Sequence, residues 1–200
     1  MFINTKFILA SESKSRYKIL KNNNLCFVKK KPLCDEESIK KQLKKEKKTP
    51  KEIVKILAKE KAKSISKKHP KQIVVGCDTI ILFDKKIINK AKNLKMAKEK
   101  ILKLSGKKHK ILSAACVCYN NKLIWSRSQS TTVEIRRLKK TEINDYINAC
   151  GKEILGSAGC YQIELLGPTI IKKIKGDFFN VMGFPLFPFL NFLKKFNIKV

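Results

Sequence analysis

The sequence predicts an α/β protein built on a mixed sheet. Two observations carry that class. Short apolar runs of strand character alternate with segments whose apolar residues recur at helical spacing. In the second half, turn residues between apolar runs mark hairpins. The chain has 200 residues and 43% hydrophobic content, enough for one sizeable core in one or two lobes. Neither an internal repeat nor a long linker divides it, so residues 1–200 are expected to form one domain.

Taken in order, Thr5 to Ala10 reads as a buried strand, and Arg16 to Lys21 as a short helix stopped by Asn22, Asn23 and Asn24. Leu25 to Val28 looks like a second strand. The mixed-charge stretch Cys34 to Lys48 is expected as a mobile loop running into a helix. Pro50 suits the first turn of that helix, and Ile53, Leu57, Lys61 and Ile65 follow on one face. Gln72 to Phe83 is a strand, turned by Asp84-Lys85-Lys86 into a return strand at Ile87-Ile88. Leu94 to Leu104 is a helix that stops at Ser105-Gly106. His109 to Tyr119 is a strand, and Asn120-Asn121 turns it into Lys122 to Ser126. Thr131 to Arg137 is a further extended segment, and Thr141 to Cys150 a helix with Thr141 as its N-cap. Cys160 to Glu164 and Thr169 to Ile174 read as strands, and the chain closes in an apolar helix.

The formal net charge is +30, and only four of the 46 Lys and Arg are Arg: Arg16, Arg127, Arg136 and Arg137. Such a field attracts polyanions. The lysines, however, are spread along the whole chain with many Ile and Asn, which reads as codon bias of an AT-rich genome. A non-enzymatic basic nucleic-acid binder therefore rests on charge alone, without a stacking-aromatic motif or a helix-turn-helix. The seven cysteines are odd in number and lack a CxxC pair, so they read as free thiols in a reducing cytosol. The N-terminal apolar run is too short for a signal peptide. Phe184 to Leu193, broken by Pro185 and Pro188, is too short to span a bilayer. A cytoplasmic protein without a membrane partner is expected.

Several polar features stand out. Leu9-Ala10-Ser11-Glu12-Ser13-Lys14-Ser15-Arg16 takes an apolar strand through serines into a helix N-terminus. Backbone N–H groups, hydroxyls and one Arg make that a phosphate site; a Ser-rich capping turn would leave the same trace. Val75-Gly76-Cys77-Asp78-Thr79 places a lone carboxylate in an apolar run, where it needs a partner, a metal or a solvent mouth. Asp78 either caps a strand end or serves to activate water or hold Mg²⁺. Lys61 shares its helix face with apolar residues, so it either snorkels or points into a site. Lys90 is a candidate phosphate cation or a solvated surface lysine. Glu36, in the scarce acidic cluster Asp35-Glu36-Glu37, is a second carboxylate or a helix-start cap. His109 follows a helix stop and reads as a group that fixes loop geometry. Tyr161 and the Phe178-Phe179 pair read as core.

Together these segments resemble the Maf family of nucleoside triphosphate pyrophosphatases over nearly the whole chain. The resemblance rests on Leu-Ala-Ser-x-Ser-x-x-Arg at Leu9 to Arg16, Asp35-Glu36, Leu57-Ala58-x-x-Lys61-Ala62 and Gly76-x-Asp78. Lys90, Leu104-Ser105-Gly106-x-x-His109, Gly176-Asp177 and Gly183-x-Pro185-Leu186 complete the series. It implies an elongated mixed sheet flanked by helices, with two lobes and a central cleft. The implied activity is hydrolysis of a nucleoside triphosphate between its α and β phosphates, with a divalent cation, Mg²⁺ or Mn²⁺. The implied role is the clearing of non-standard or surplus nucleotides in a bacterial cytoplasm, with a link to division arrest, and the implied assembly is a homodimer. Carried onto this chain, Asp78, Lys61 and Lys90 are catalytic, and Ser11, Ser13 and Arg16 hold phosphate. Glu36 and Asp78 hold metal, and Ser15, Thr79 and Glu164 bear on base choice. A member specialised for methylated guanine nucleotides is an alternative within the same family.

The departures sharpen this. Lys14-Ser15-Arg16 stands where many members have Pro-Arg-Arg, so one forked cation is lost. Asn89 and Ala91 replace Gly and Pro around Lys90, and Glu164-Leu165 replaces Gln-Gly. An ionised Glu164 only accepts hydrogen bonds, which suits guanine or cytosine and disfavours the carbonyls of uracil and thymine. A weak preference for dTTP and UTP is therefore expected.

Overall fold

Caps and turn residues set the element boundaries. The computed structural model describes residues 5–196, and all counts below refer to them. Strand β1 (Phe7–Ala10) is buried throughout and lies parallel to both β2 (Phe27–Lys30) and β3 (Ile73–Phe83), with Ala10 opposite Gly76. Helix α1 (Lys14–Asn22) starts at Ser13, whose hydroxyl accepts the Arg16 backbone N–H. Helix α3 (Pro50–Ser66) opens with a reciprocal Thr49–Glu52 capping box. Strand β4 (Lys86–Ile88) returns antiparallel on β3 after Asp84 and Lys85, both at positive φ. Helix α4 (Leu94–Leu104) ends before Gly106, at φ 70°. Strands β5 (Lys108–Tyr119) and β6 (Lys122–Ile135) are joined by Asn120 and Asn121 at φ 48° and 59°, the left-handed pair that a two-residue hairpin turn requires. Then come α5 (Lys140–Cys150), β7 (Ile171–Lys175) antiparallel on β6, the single turn α6 (Phe178–Val181) and α7 (Leu186–Lys195). The seven strands form one mixed sheet in the order β2-β1-β3-β5-β6-β7, with β4 on β3, so the expected α/β class holds.

Four expectations are corrected. The stretch expected as a loop before Pro50 contains α2 (Glu36–Lys45). Asp35 caps it by accepting from Glu37 and Ser38, and Glu36 and Glu37 at its start and Lys44 and Lys45 at its end complement the helix dipole. Residues 122–135 form one strand rather than two. Lys139, not Thr141, is the N-cap of α5; the Glu142 carboxylate accepts the Lys139 backbone N–H at 2.7 Å. Cys160 to Glu164 is not a strand: Leu165 and Gly167 both donate to the Gln162 carbonyl, folding the segment into a turn.

The chain forms two compact units, each with its own core. The first holds the described residues up to Thr79, Leu112–Gln129 and those from Gly183 onward. Its core includes Ile8, Ala10, Ala62, Ile65 and Val74, and Phe189 of α7 packs edge-on to Phe7 at 5.4 Å. The second holds Ile80–Ile111 and Ser130–Met182, with a core around Ile101, Ile111, Val133, Tyr146 and Tyr161. All seven cysteines are free, and Cys77, Cys116, Cys118 and Cys160 are buried. No helix among the described residues is long and apolar enough to cross a membrane.

Candidate active site

A glycine makes the central contact of the first unit geometrically available. At Gly76 an added Cβ would lie 2.1 Å from the Ala58 carbonyl oxygen and 2.5 Å from the Ala62 nitrogen. Strand β3 therefore runs directly against the α3 backbone. That approach brings Lys61 of α3 to Asp78 of β3. The Lys61 Nζ donates to Asp78 Oδ1 at 2.7 Å, and both side chains are only 7% exposed. The same ammonium meets Glu36 Oε2, at the start of α2, at 2.9 Å. One cation thus serves two carboxylates. Asp78 Oδ2 is buried and has no hydrogen-bond partner, an expensive state unless something polar is to be met there.

Arg16 forms a second centre in the same unit. It is buried, and among the described residues no carboxylate pairs with it. Its guanidinium donates to the Gly183 carbonyl at 2.9 Å, the Cys77 carbonyl at 2.8 Å, Ser11 Oγ at 3.1 Å and Thr79 Oγ1 at 3.0 Å. Gly183 sits at φ 99°, and its carbonyl also accepts from Thr79 Oγ1 and the Cys77 thiol, each at 3.2 Å. Thr79 Oγ1 lies 3.0 Å from Ser113 Oγ. Arg16 thereby ties the strand end that carries Ser11 and Ser13 to the strand that carries Asp78, and all its acceptors are neutral. Burial pushes the Cys77 thiol up to about 11 against the pull of Arg16, so it is a neutral hydrogen-bond donor and no nucleophile.

The family model described as Maf-like protein matches residues 6–196. The chain belongs to the Maf family. Among its curated Maf relatives is a 7-methyl-GTP pyrophosphatase of Bartonella henselae, 37% identical over 96% of each chain. A nucleoside triphosphate pyrophosphatase of Ruegeria pomeroyi is 36% identical over 93% of this chain and 94% of its own. One of the same name from Pelagibacter ubique is 35% identical over 94% and 97%.

Within this Maf protein, the structure brings Asp78, Lys61 and Glu36 into one ion cluster, and Ser11, Arg16 and Thr79 into one hydrogen-bond network. Ser13 and Ser15 are half-buried at the start of α1. Lys90 and Glu164 belong to the second unit. Lys90 is exposed just after β4, and Glu164 is half-buried in the turn that replaces the expected strand. His109 and Tyr161, also there, are both buried and joined through His109 Nε2 and the Tyr161 hydroxyl at 2.5 Å. That pairing fits the expectation that His109 fixes geometry. Burial drives its pKa down to about 4, so the ring is neutral.

Among the described residues no group of three or more His, Cys, Asp or Glu is placed to hold a metal. Mg²⁺ needs fewer, because it keeps waters and completes its shell with substrate phosphate oxygens. The unpaired Asp78 Oδ2 and the half-exposed Glu36, which is met by Lys61 at 2.9 Å and by Lys40 only at 3.9 Å, are oxygen donors of the type a divalent cation takes. Sequence reasoning missed the carbonyls of Cys77 and Gly183 as Arg16's anchors, and Ser113 as the partner of Thr79 in the same network. A lone hydroxyl in the apolar run Ile111 to Val117 was the one available signal for Ser113.

Proposed function

We propose that this Maf protein hydrolyses a nucleoside triphosphate between its α and β phosphates, releasing a nucleoside monophosphate and pyrophosphate. The observation that carries the reading is the Asp78–Lys61–Glu36 cluster, in which Asp78 and Lys61 are buried and Asp78 Oδ2 is left unpaired. Lys61 holds Asp78 by Oδ1, which leaves Oδ2 to take the proton of the attacking water. As the bond between the bridging oxygen and phosphorus breaks, negative charge builds on the leaving pyrophosphate. Lys61, Lys90 and the uncompensated charge of Arg16 oppose it, with Ser11, Ser13 and the α1 N-terminus as further phosphate donors. Asp78 and Glu36 would hold a divalent cation, Mg²⁺ or Mn²⁺, which would screen the phosphate charge and make water easier to deprotonate. Ser15, Thr79 and Glu164 bear on base choice. Residues 1–200 act as one domain, on free nucleotides in the cytoplasm and as a homodimer, without a stable nucleic-acid partner. The role that follows is the clearing of non-standard or surplus nucleotides.

The test is a panel of nucleoside triphosphates, including 7-methyl-GTP, with Mg²⁺, Mn²⁺ or chelator, read as pyrophosphate beside Asp78→Ala and Glu164→Gln. Metal-dependent release that disappears in Asp78→Ala is expected, with UTP and dTTP poor substrates that improve in Glu164→Gln. Silence across the panel would overturn the reading. An unchanged base preference in Glu164→Gln would remove Glu164 from base choice.

A further inference from the structure

Lys100 is a half-buried lysine of α4 in the second unit whose charge meets no carboxylate among the described residues. Its ammonium donates instead to two main-chain carbonyls, those of Asn89 and Ala158, the latter at 3.1 Å. Holding a desolvated ammonium on neutral acceptors is costly, and burial accordingly pushes its pKa below the ordinary lysine value. A side chain kept in that state has an effect on what it holds, through charge-assisted bonds stronger than neutral ones.

What it holds are two segments of consequence. Asn89 directly precedes Lys90, and Ala158 leads into Gly159 to Glu164. No proline stiffens either segment. Other contacts join them: Ala91, Cys160 and Tyr161 lie in one apolar cluster with Ile101 of α4, and the Ala91 backbone hydrogen-bonds the Cys160 thiol. At Gly159 a Cβ would come within 2.6 Å of the Tyr161 ring, and Tyr161 is pinned by His109. The 158–161 stretch therefore has little freedom to drift once Lys100 is in place.

We infer that Lys100 is a positioning residue, whose ammonium binds the segment carrying Lys90 to the segment carrying Glu164 and so presents both to the nucleotide together. The inference rests on the reading of Lys90 as a phosphate cation and Glu164 as a base-reading carboxylate. Its test compares wild type, Lys100→Met, Lys100→Arg and, as a surface-charge control on the same helix, Lys103→Met. Hydrogen exchange should rise in both 89–91 and 158–164 in Lys100→Met, with α4 still protected. KM should rise about tenfold with little change in kcat, and discrimination between GTP and UTP should shrink. Lys100→Arg, which keeps the charge and several N–H donors, should recover most of each effect, and Lys103→Met should show none. Unchanged exchange in either segment overturns the inference. So does altered exchange with unaltered KM and base discrimination, which would make the clamp a structural one. A wild type that releases no pyrophosphate would sink the proposed activity instead, and the exchange arm would still decide whether Lys100 joins the two segments.

Discussion

The two units bury polar side chains in opposite ways. In the first, Asp78 and Lys61 remain charged beside an apolar core, and Asp78 Oδ2 goes unpaired. In the second, His109 and Tyr161 are buried as a neutral pair. The neutral pair shares one hydrogen bond and leaves only the neutral Nδ1 of His109 without a partner, a smaller cost than an unpaired oxygen of a buried carboxylate. An ion pair costs several kcal/mol per ion to desolvate, about what its mutual attraction returns, and apolar residues of the same volume often do as well. Stability thus accounts for His109–Tyr161 but not for Asp78–Lys61–Glu36. On the proposed reading, charge and an open carboxylate oxygen are what phosphoryl chemistry needs there.

The sharpest way to break this comparison is to remove the shared cation. Lys61→Met leaves the buried Asp78 without its cation and Glu36 with only Lys40, at 3.9 Å. It should destabilise the fold by about 3 kcal/mol in urea denaturation, as loss of one partner of a buried pair does. Pyrophosphate release should fall roughly a hundredfold or more. A variant of native stability and activity would mean that the cluster is ornamental.

A smaller effect tests the neutral pair. The folded-state pKa of His109 lies near 4, below its ordinary 6.5, so between these values the unfolded chain binds a proton that the folded one does not. This contribution is fully present above about pH 6.5 and lost as pH falls toward 4, a change of about 3 kcal/mol at most. Urea midpoints of wild type and His109→Gln should therefore converge as pH drops through that window. Parallel curves would show that His109 is not buried neutral.

Legibility from sequence followed the same divide. Asn120-Asn121, Pro50 and Gly106 were readable because each has a backbone consequence of its own. Helix α2 was not: Ile39 and Leu43 are its only apolar residues, and its capping and end charges decide the matter. Cys160 to Glu164 misled because apolar and polar residues alternate from Tyr161 to Glu164 as in a strand, while turn bonds to the Gln162 carbonyl hold the backbone. Asp78 stood out as a charge in an apolar run. Lys61 was one lysine among many, singled out by its helix face and the Maf resemblance. Lys100 gave no signal, because its partners are carbonyls that no side-chain pattern encodes.

The central claim is that Asp78 is charged and half-unpaired for chemistry at a cost to the fold, and Asp78→Asn tests it most directly, with turnover and unfolding free energy measured on the same preparation. The amide can still accept from Lys61. Pyrophosphate release should drop by about a thousandfold while stability changes by less than about 1 kcal/mol or rises. Turnover within a few-fold of wild type, or a stability loss that accounts for the missing activity, would contradict the account.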